Sequence, residues 1–204
     1  MTNPGDRTQV GFWSALQRDR GKSDAERING KDLSHRKRIA AIAQVLDLSP
    51  ASRVIDLGAG IGLLERWHGP FQEYVAVDFC PEYVAEIRAT SRSPLDARIT
   101  SVLEVDYSTM PDADAAVMCG VTSIPELFPS LEALFDLLAP MTVRTRTLVT
   151  FMWAGWPEFS ADTRTYGLDE VRAELGRRRW RGSFHFGHLP HEFFCVIAPG
   201  GPVP

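Results

Sequence analysis

Three alternating glycines carry the clearest chemical signal in this chain. Gly58, Gly60 and Gly62 stand directly after the apolar run at residues 53–57. A strand that turns sharply into a helix needs positive φ angles, which glycine adopts readily, and glycine lets a ligand approach the backbone closely. The first turn of the following helix would present unpaired N–H groups. The pattern therefore predicts a cofactor-binding turn between a first strand and a short helix.

The spacing of these glycines separates two cofactor classes. Dinucleotide-binding proteins use Gly-x-Gly-x-x-Gly, with the pyrophosphate at the helix N-terminus. Here the third glycine is Gly62 and Leu63 follows it, so the spacing misses the dinucleotide form by one residue. Asp56 stands two positions before the first glycine. A dinucleotide-dependent oxidoreductase is therefore the least favoured enzyme class.

Further carboxylates follow the next predicted strands. Asp78 ends the predicted second strand, and Asp106, followed by Tyr107, comes after the predicted third. A carboxylate at the end of the second strand can accept hydrogen bonds from both ribose hydroxyls of a nucleoside cofactor. The turn and the ordered carboxylates together predict a nucleoside site at one edge of a sheet.

The acidic-x-Gly-x-Gly-x-Gly pattern at 56–62 resembles the first motif of the class I S-adenosylmethionine (SAM) dependent methyltransferases. The segment 75–88 resembles the second motif of that family, and the resemblance extends over residues 50–198. It implies SAM as cofactor, with Phe79 packing on the adenine, Asp106 accepting from the adenine amino group and Cys119 near the methionine end. The cofactor-binding residues that the resemblance implies are Asp56, Gly58, Ala59, Gly60, Asp78, Phe79, Asp106, Tyr107 and Cys119.

The substrate side is less defined. Residues 119–123 correspond to the family's fourth motif but lack the histidine that many small-molecule members carry, so no catalytic base is assigned. They also lack the Asn/Asp-Pro-Pro-aromatic pattern, which counts against nucleobase and glutamine acceptors. The aromatic segment after the fifth strand could line a pocket for an apolar acceptor, face a cation, or anchor the loop on the core. The predicted substrate-binding residues are Phe12, Trp13, Thr122, Ser123, Trp153 and Trp156.

The favoured activity is in-line transfer of a methyl group from SAM to a small metabolite or natural product. Because a sulfonium is already an activated leaving group, the protein mainly has to position a nucleophile and exclude water. Cyclisation or elimination within SAM, giving methylthioadenosine, is an alternative. A second alternative is a non-catalytic partner subunit of the same fold. A subunit that no longer binds the cofactor would, however, have no physical need for the glycine turn or Asp78.

Alternating β-branched runs and amphipathic stretches predict a Rossmann-like α/β fold, a doubly wound, seven-stranded mixed sheet. The last two strands are too close for a crossover helix and should form an antiparallel hairpin. A helical cap or lid is predicted at 1–48 and the SAM-binding core at 49–204. Strands are predicted at 53–57, 73–78, 98–105, 114–119, 146–152, 182–186 and 192–198. Helices are predicted at 10–18, 34–46, 81–90, 130–138 (stopping at Pro140) and 168–178.

Composition limits the partners. The net charge of −4 argues against a dedicated nucleic-acid binder. The N-terminus has no apolar signal region, and no apolar run is long enough to span a membrane. The histidines and the three cysteines lack metal-ligand spacing. We therefore expect a cytoplasmic enzyme, monomeric or homodimeric, that holds no metal and contacts neither nucleic acid nor membrane.

Overall fold

The computed structural model describes residues 32–124, 126–154, 163–186 and 189–200. The predicted helix at 10–18 and the predicted substrate residues Phe12, Trp13 and Trp156 lie outside these ranges. The chain divides into two compact units, Met1–Glu104 and Val105–Pro204.

The first unit has three parallel strands in the order β3-β2-β1, with helices between them. Its central strand is β2, in which Tyr74 pairs with Val54 on one side and Leu95 on the other. Strands β1 and β2 bury nearly all of their residues, and burial on both faces is typical of a parallel sheet covered by helices. The elements are α1 (Asp32–Val45), β1 (Arg53–Leu57), α2 (Leu63–His68), β2 (Glu73–Asp78), α3 (Pro81–Thr90) and β3 (Leu95–Ile99).

The second unit has a parallel pair, β4 and β5, followed by two antiparallel strands. Its core is aromatic: Phe151 on β5 stacks on Phe193 of β7 at 5.4 Å and meets Tyr166 edge-on at 4.9 Å. The elements are β4 (Ala115–Met118), α4 (Leu131–Thr142), β5 (Arg146–Met152), α5 (Leu168–Arg177), β6 (Gly182–His185) and β7 (Glu192–Ile197).

The strand order is β3-β2-β1-β4-β5-β7-β6, a seven-stranded mixed sheet. The predicted fold class and the terminal antiparallel hairpin are confirmed. The predicted bounds of β1, β2, α3 and β5 agree with the structure residue for residue. Among the helices of the described residues, none is long and apolar enough to cross a membrane.

Two predicted elements, the third strand and the helix before the fifth strand, are wrong by three or more residues at a boundary, and the other predicted elements in the described ranges differ by at most two. The third strand is Leu95–Ile99 rather than 98–105, because pairing with β2 runs from Leu95 to Ile99 and the chain then turns. In that turn the N–H of Glu104 donates to the carbonyl of Ser101 at 2.9 Å. The helix predicted to stop at Pro140 instead continues to Thr142, with Pro140 inside. Met141 is fully buried, and that apolar contact offsets the hydrogen bond that proline cannot make.

Gly176 offers a test of the fold that leaves the predicted site untouched. It lies in the exposed last turn of α5, and a Cβ built there meets no atom within 4 Å. Gly176→Ala is therefore expected to stabilise the protein by about 0.5–1 kcal/mol, because alanine loses less backbone entropy in a helix. Urea unfolding measures the change; a lower midpoint at unchanged slope would contradict the assigned helix.

Candidate functional site

The glycine turn has the backbone geometry that its spacing predicts. The φ angles are 73° at Gly58, 56° at Gly60 and 73° at Gly62, all in the left-handed region. The N–H groups of Gly58 and Ala59 both donate to the carbonyl of Val77, at 2.8 and 3.0 Å. These two bonds join the turn to the last residues of β2, so the first unit brings the ends of β1 and β2 together.

Asp78 holds the turn from the side of β2. Its Oδ2 accepts from the N–H of Gly60 and its Oδ1 from the N–H of Cys80, both at 2.9 Å. The residue is 5% exposed, and burial raises the pKa of its carboxyl to about 7, although the N–H groups of Cys80 and Gly60 oppose the shift. A carboxylate has about four acceptor positions, so capacity for further donors remains.

Asp56 lies one strand away and has a different partner. The phenolic hydroxyl of Tyr74 donates to its Oδ2 at 2.7 Å, and both residues are buried. Burial raises the pKa of Asp56 to about 6, and the hydrogen bond from Tyr74 opposes that shift. Burial also raises the pKa of Tyr74 well above its usual range, so its hydroxyl stays a donor at every physiological pH. Residue spacing did not predict a role for Tyr74, because a tyrosine within a buried strand belongs to no motif.

These features of the first unit fit a nucleoside cofactor. The turn supplies backbone that a ligand can approach, and Asp78 supplies a buried acceptor beside it. Phe79 follows directly and is half-buried, which leaves part of its ring available for stacking. The prediction for Asp56, Gly58, Ala59, Gly60, Asp78 and Phe79 thus agrees with their placement, and their contact with a cofactor stays a prediction.

In the second unit, Asp106 is exposed and caps a short 3₁₀ turn at Tyr107–Thr109. Its Oδ1 accepts from the N–H and the hydroxyl of Ser108, at 3.0 and 2.5 Å, and these bonds hold the pKa of Asp106 below its usual value. Tyr107 is buried, and burial raises the pKa of its phenol.

Arg144 supports the turn that Asp106 caps. Its guanidinium donates to the carbonyls of Tyr107 and Ser108 at 3.1 and 3.2 Å, and to that of Met110. Residue spacing did not predict a role for this arginine, because no motif connects it to a turn that begins 37 residues earlier in the chain.

The loop after β4 uses its polar groups internally. The N–H of Gly120 donates to Thr150 Oγ1 at 2.9 Å, and the Thr122 hydroxyl donates to the Thr150 carbonyl at 2.6 Å. The Ser123 hydroxyl donates to the carbonyl of Gly120 at 2.6 Å. Thr122 is buried, whereas Cys119 and Ser123 are half-buried. The hydroxyls of Thr122 and Ser123 therefore stabilise the loop, and their contact with a substrate stays a prediction.

The aromatic residues after β5 divide between two roles. Tyr166 is buried against Phe151, and its hydroxyl donates to the Thr122 carbonyl at 3.1 Å. Trp153 is 40% exposed, and the neighbouring N–H of Ala154 donates to the Tyr166 carbonyl at 3.0 Å. Tyr166 thus pins the segment to the core, while the Trp153 ring keeps an exposed surface. Within the described ranges, no cluster of three or more His, Cys, Asp or Glu side chains could hold a metal ion.

Solved structures share this architecture. The DhpI complex with SAM and HEP superposes with a TM-score of 0.67 at 14% identity, covering 98% of this chain and 100% of DhpI. The chain has the class I SAM-dependent methyltransferase fold. No family model matches the sequence, and no curated protein matches it.

Two further neighbours of this fold cover most of the chain. One is the 1,6-didemethyltoxoflavin N1-methyltransferase of Burkholderia thailandensis, with its substrate and S-adenosylhomocysteine bound. It has a TM-score of 0.62 at 17% identity and covers 98% of this chain and 92% of its own. The other is the magnesium protoporphyrin IX methyltransferase ChlM of Synechocystis PCC 6803 with bound SAM. Its TM-score is 0.58 at 13% identity, with 96% and 93% coverage.

Proposed function

We propose that this protein binds SAM at the glycine turn of its first unit and transfers the methyl group to a small-molecule acceptor. The observation that carries the proposal is the hydrogen bond from the Gly60 N–H to Asp78, which sets the cofactor-type turn beside a buried carboxylate. Fold neighbours bind SAM or S-adenosylhomocysteine, and one of them holds its small-molecule substrate. These likenesses support the cofactor and the reaction class.

Each predicted cofactor-binding residue of the first unit has a defined role in this proposal. Asp78 accepts hydrogen bonds from the ribose hydroxyls with its remaining lone pairs, and the half-buried ring of Phe79 packs on the adenine. Gly58, Ala59 and Gly60 form the turn that the cofactor contacts, and Asp56 contacts it from the end of β1. When bound, SAM supplies an electrophilic methyl carbon on a sulfonium.

The roles in the second unit rest on the family resemblance. Asp106 and Tyr107 would contact the adenine, and Cys119 would lie near the methionine end. The acceptor would meet the exposed ring of Trp153, together with Phe12, Trp13, Thr122, Ser123 and Trp156. We further propose that residues 1–48 cap the site, and that the protein is a cytoplasmic monomer or homodimer.

The two described loops on the proposed acceptor side contain no carboxylate, imidazole or lysine amine that could act as a general base, so the catalytic base stays unassigned. Neither 119–123 nor 150–154 contains His, Asp, Glu or Lys. A positioned base helps most when the nucleophile is a protonated hydroxyl or amine. These two loops can therefore contribute orientation of the acceptor and exclusion of water.

Titration of the purified full chain with SAM by calorimetry tests the cofactor, and mass analysis after incubation tests the reaction. S-adenosylhomocysteine formed only with an added small aromatic or amine acceptor would support methyl transfer. Conversion of SAM alone to methylthioadenosine would replace methyl transfer with chemistry inside SAM. Binding without turnover across a broad acceptor panel would favour a non-catalytic partner subunit, and absence of binding would overturn the proposal.

A further inference from the structure

Tyr74 and Asp56 form a buried, hydrogen-bonded pair in the sheet of the first unit. Tyr74 is fully buried in the central strand β2, with Phe71 at a ring-centroid distance of 6.1 Å. Its hydroxyl reaches across to Asp56 Oδ2 at 2.7 Å. Within the described ranges, Tyr74 is the one side chain that donates a hydrogen bond to Asp56.

The position of this pair connects it to the glycine turn. Asp56 stands two residues before Gly58, the first left-handed glycine, and pairs in register with Ala76 of β2. Tyr74 lies in the neighbouring strand β2, and its main chain is fixed on both sides by pairing with β1 and β3. Tyr74 has no exposed surface, and its hydroxyl donates to Asp56, so we expect its effect on binding to act through Asp56.

We propose that Tyr74 is a positioning residue for the cofactor site: its hydroxyl fixes the carboxylate of Asp56, two residues before the glycine turn, and so sets the affinity for SAM. The inference rests on the proposed function, because it assigns a role toward the same cofactor. A buried carboxylate with one phenolic donor has few alternative orientations, and losing the donor frees it to rotate or to take up a proton.

A double-mutant cycle distinguishes this role from simple packing. Tyr74→Phe keeps the buried ring and removes only the hydroxyl, and it is expected to weaken SAM binding about tenfold in calorimetry. Asp56→Ala is expected to weaken it at least as much. Adding Tyr74→Phe to Asp56→Ala should change the Kd by less than about twofold, because the two side chains act as one unit.

A second measurement does not depend on SAM or on the folding of the alanine variant. Carboxyl NMR titration of the unliganded protein should show a higher Asp56 pKa in Tyr74→Phe, since the tyrosine hydrogen bond lowers it in the native protein. Asp78 and Glu65 are the other charged groups acting on the pair in the described residues, and both remain in the variant. Tyr83→Phe, which removes a different buried phenolic hydroxyl, is the matched control and should leave the Asp56 pKa unchanged.

The outcomes separate the two proposals. Native protein that binds SAM, with additive losses in the cycle or an unchanged Asp56 pKa in Tyr74→Phe, would overturn the role of Tyr74 and leave the proposed function standing. Native protein that does not bind SAM would overturn both. Non-additive losses of SAM affinity together with a raised Asp56 pKa in Tyr74→Phe would establish Tyr74 as the residue that positions Asp56.

Discussion

Asp78→Asn is expected to weaken SAM binding by about 10- to 100-fold, because hydrogen bonds to a charged acceptor contribute about 1.5–3 kcal/mol. The substitution keeps the size of the side chain but removes its charge. It also places an amide NH₂ against either the Gly60 or the Cys80 N–H, both of which donate to the native carboxylate at 2.9 Å. Part of the loss therefore comes from a disturbed glycine turn.

The pH dependence of this effect has a definite sign. In the unliganded protein, burial raises the pKa of Asp78 to about 7, and ribose hydroxyls donate better to its ionised form. The native affinity should therefore fall by roughly tenfold as the pH drops from 8 to 6. Asp78→Asn should lose that part of the dependence, and only the titration of Asp56, with its pKa of about 6, should remain.

Stability of the unliganded protein should follow the opposite trend. The folded pKa values of Asp56 and Asp78 lie above the unfolded value of 3.8, so the folded state binds more protons between about pH 4 and pH 7. Their contribution to stability is complete below pH 4 and is lost as the pH rises through 6 and 7. Urea unfolding without SAM at pH 5 and pH 8 measures this trend.

Asp96→Asn is the matched control for Asp78→Asn. Asp96 lies on β3 of the same unit, and its exposed carboxylate pairs with Arg98 at 2.7 Å. Its substitution should leave both the SAM affinity and the pH profile unchanged. If Asp78→Asn bound SAM as tightly as the native protein at pH 8, Asp78 would have no place in the site.

Gly60→Val is expected to have the larger effect, a loss of SAM affinity of more than about 100-fold, or ~3 kcal/mol. Gly60 has a φ of 56°, and a left-handed conformation costs an ordinary L-residue about 1–2 kcal/mol, with β-branched residues the worst placed. Relief of that strain would rotate the Gly60 N–H away from Asp78. An isopropyl group would also occupy backbone surface that the cofactor is proposed to contact.

Gly62→Ala separates backbone strain from obstruction of the ligand. Gly62 has a φ of 73°, and its added Cβ would lie 3.1 Å from Cγ1 of the buried, β-branched Ile87, which would have to shift by a few tenths of an ångström. Gly62→Ala should therefore lower the urea midpoint while it retains more SAM affinity than Gly60→Val. Equal affinity losses in the two variants, at equal stability, would mean that Gly60 has no direct contact with the cofactor.

Residue patterns that depend on near neighbours determined much of this protein. The glycine spacing predicts three positive φ angles, and all three are present. The alternation of apolar runs and helical stretches predicts the fold class, and the short connection between the last two strands predicts their antiparallel pairing. These features are local, because a turn conformation or a strand period is set by residues within a few positions.

Only the tertiary structure decided which polar groups meet. Tyr74 reaches Asp56, and Arg144 reaches the turn at 107–109, because sheet register and helix packing bring together residues far apart in the chain. The third strand ends at Ile99 because β2 ends opposite it at Asp78, and α4 continues past Pro140 because Met141 is buried. Such contacts depend on burial and on partners from other elements, and residue spacing along one segment contains neither.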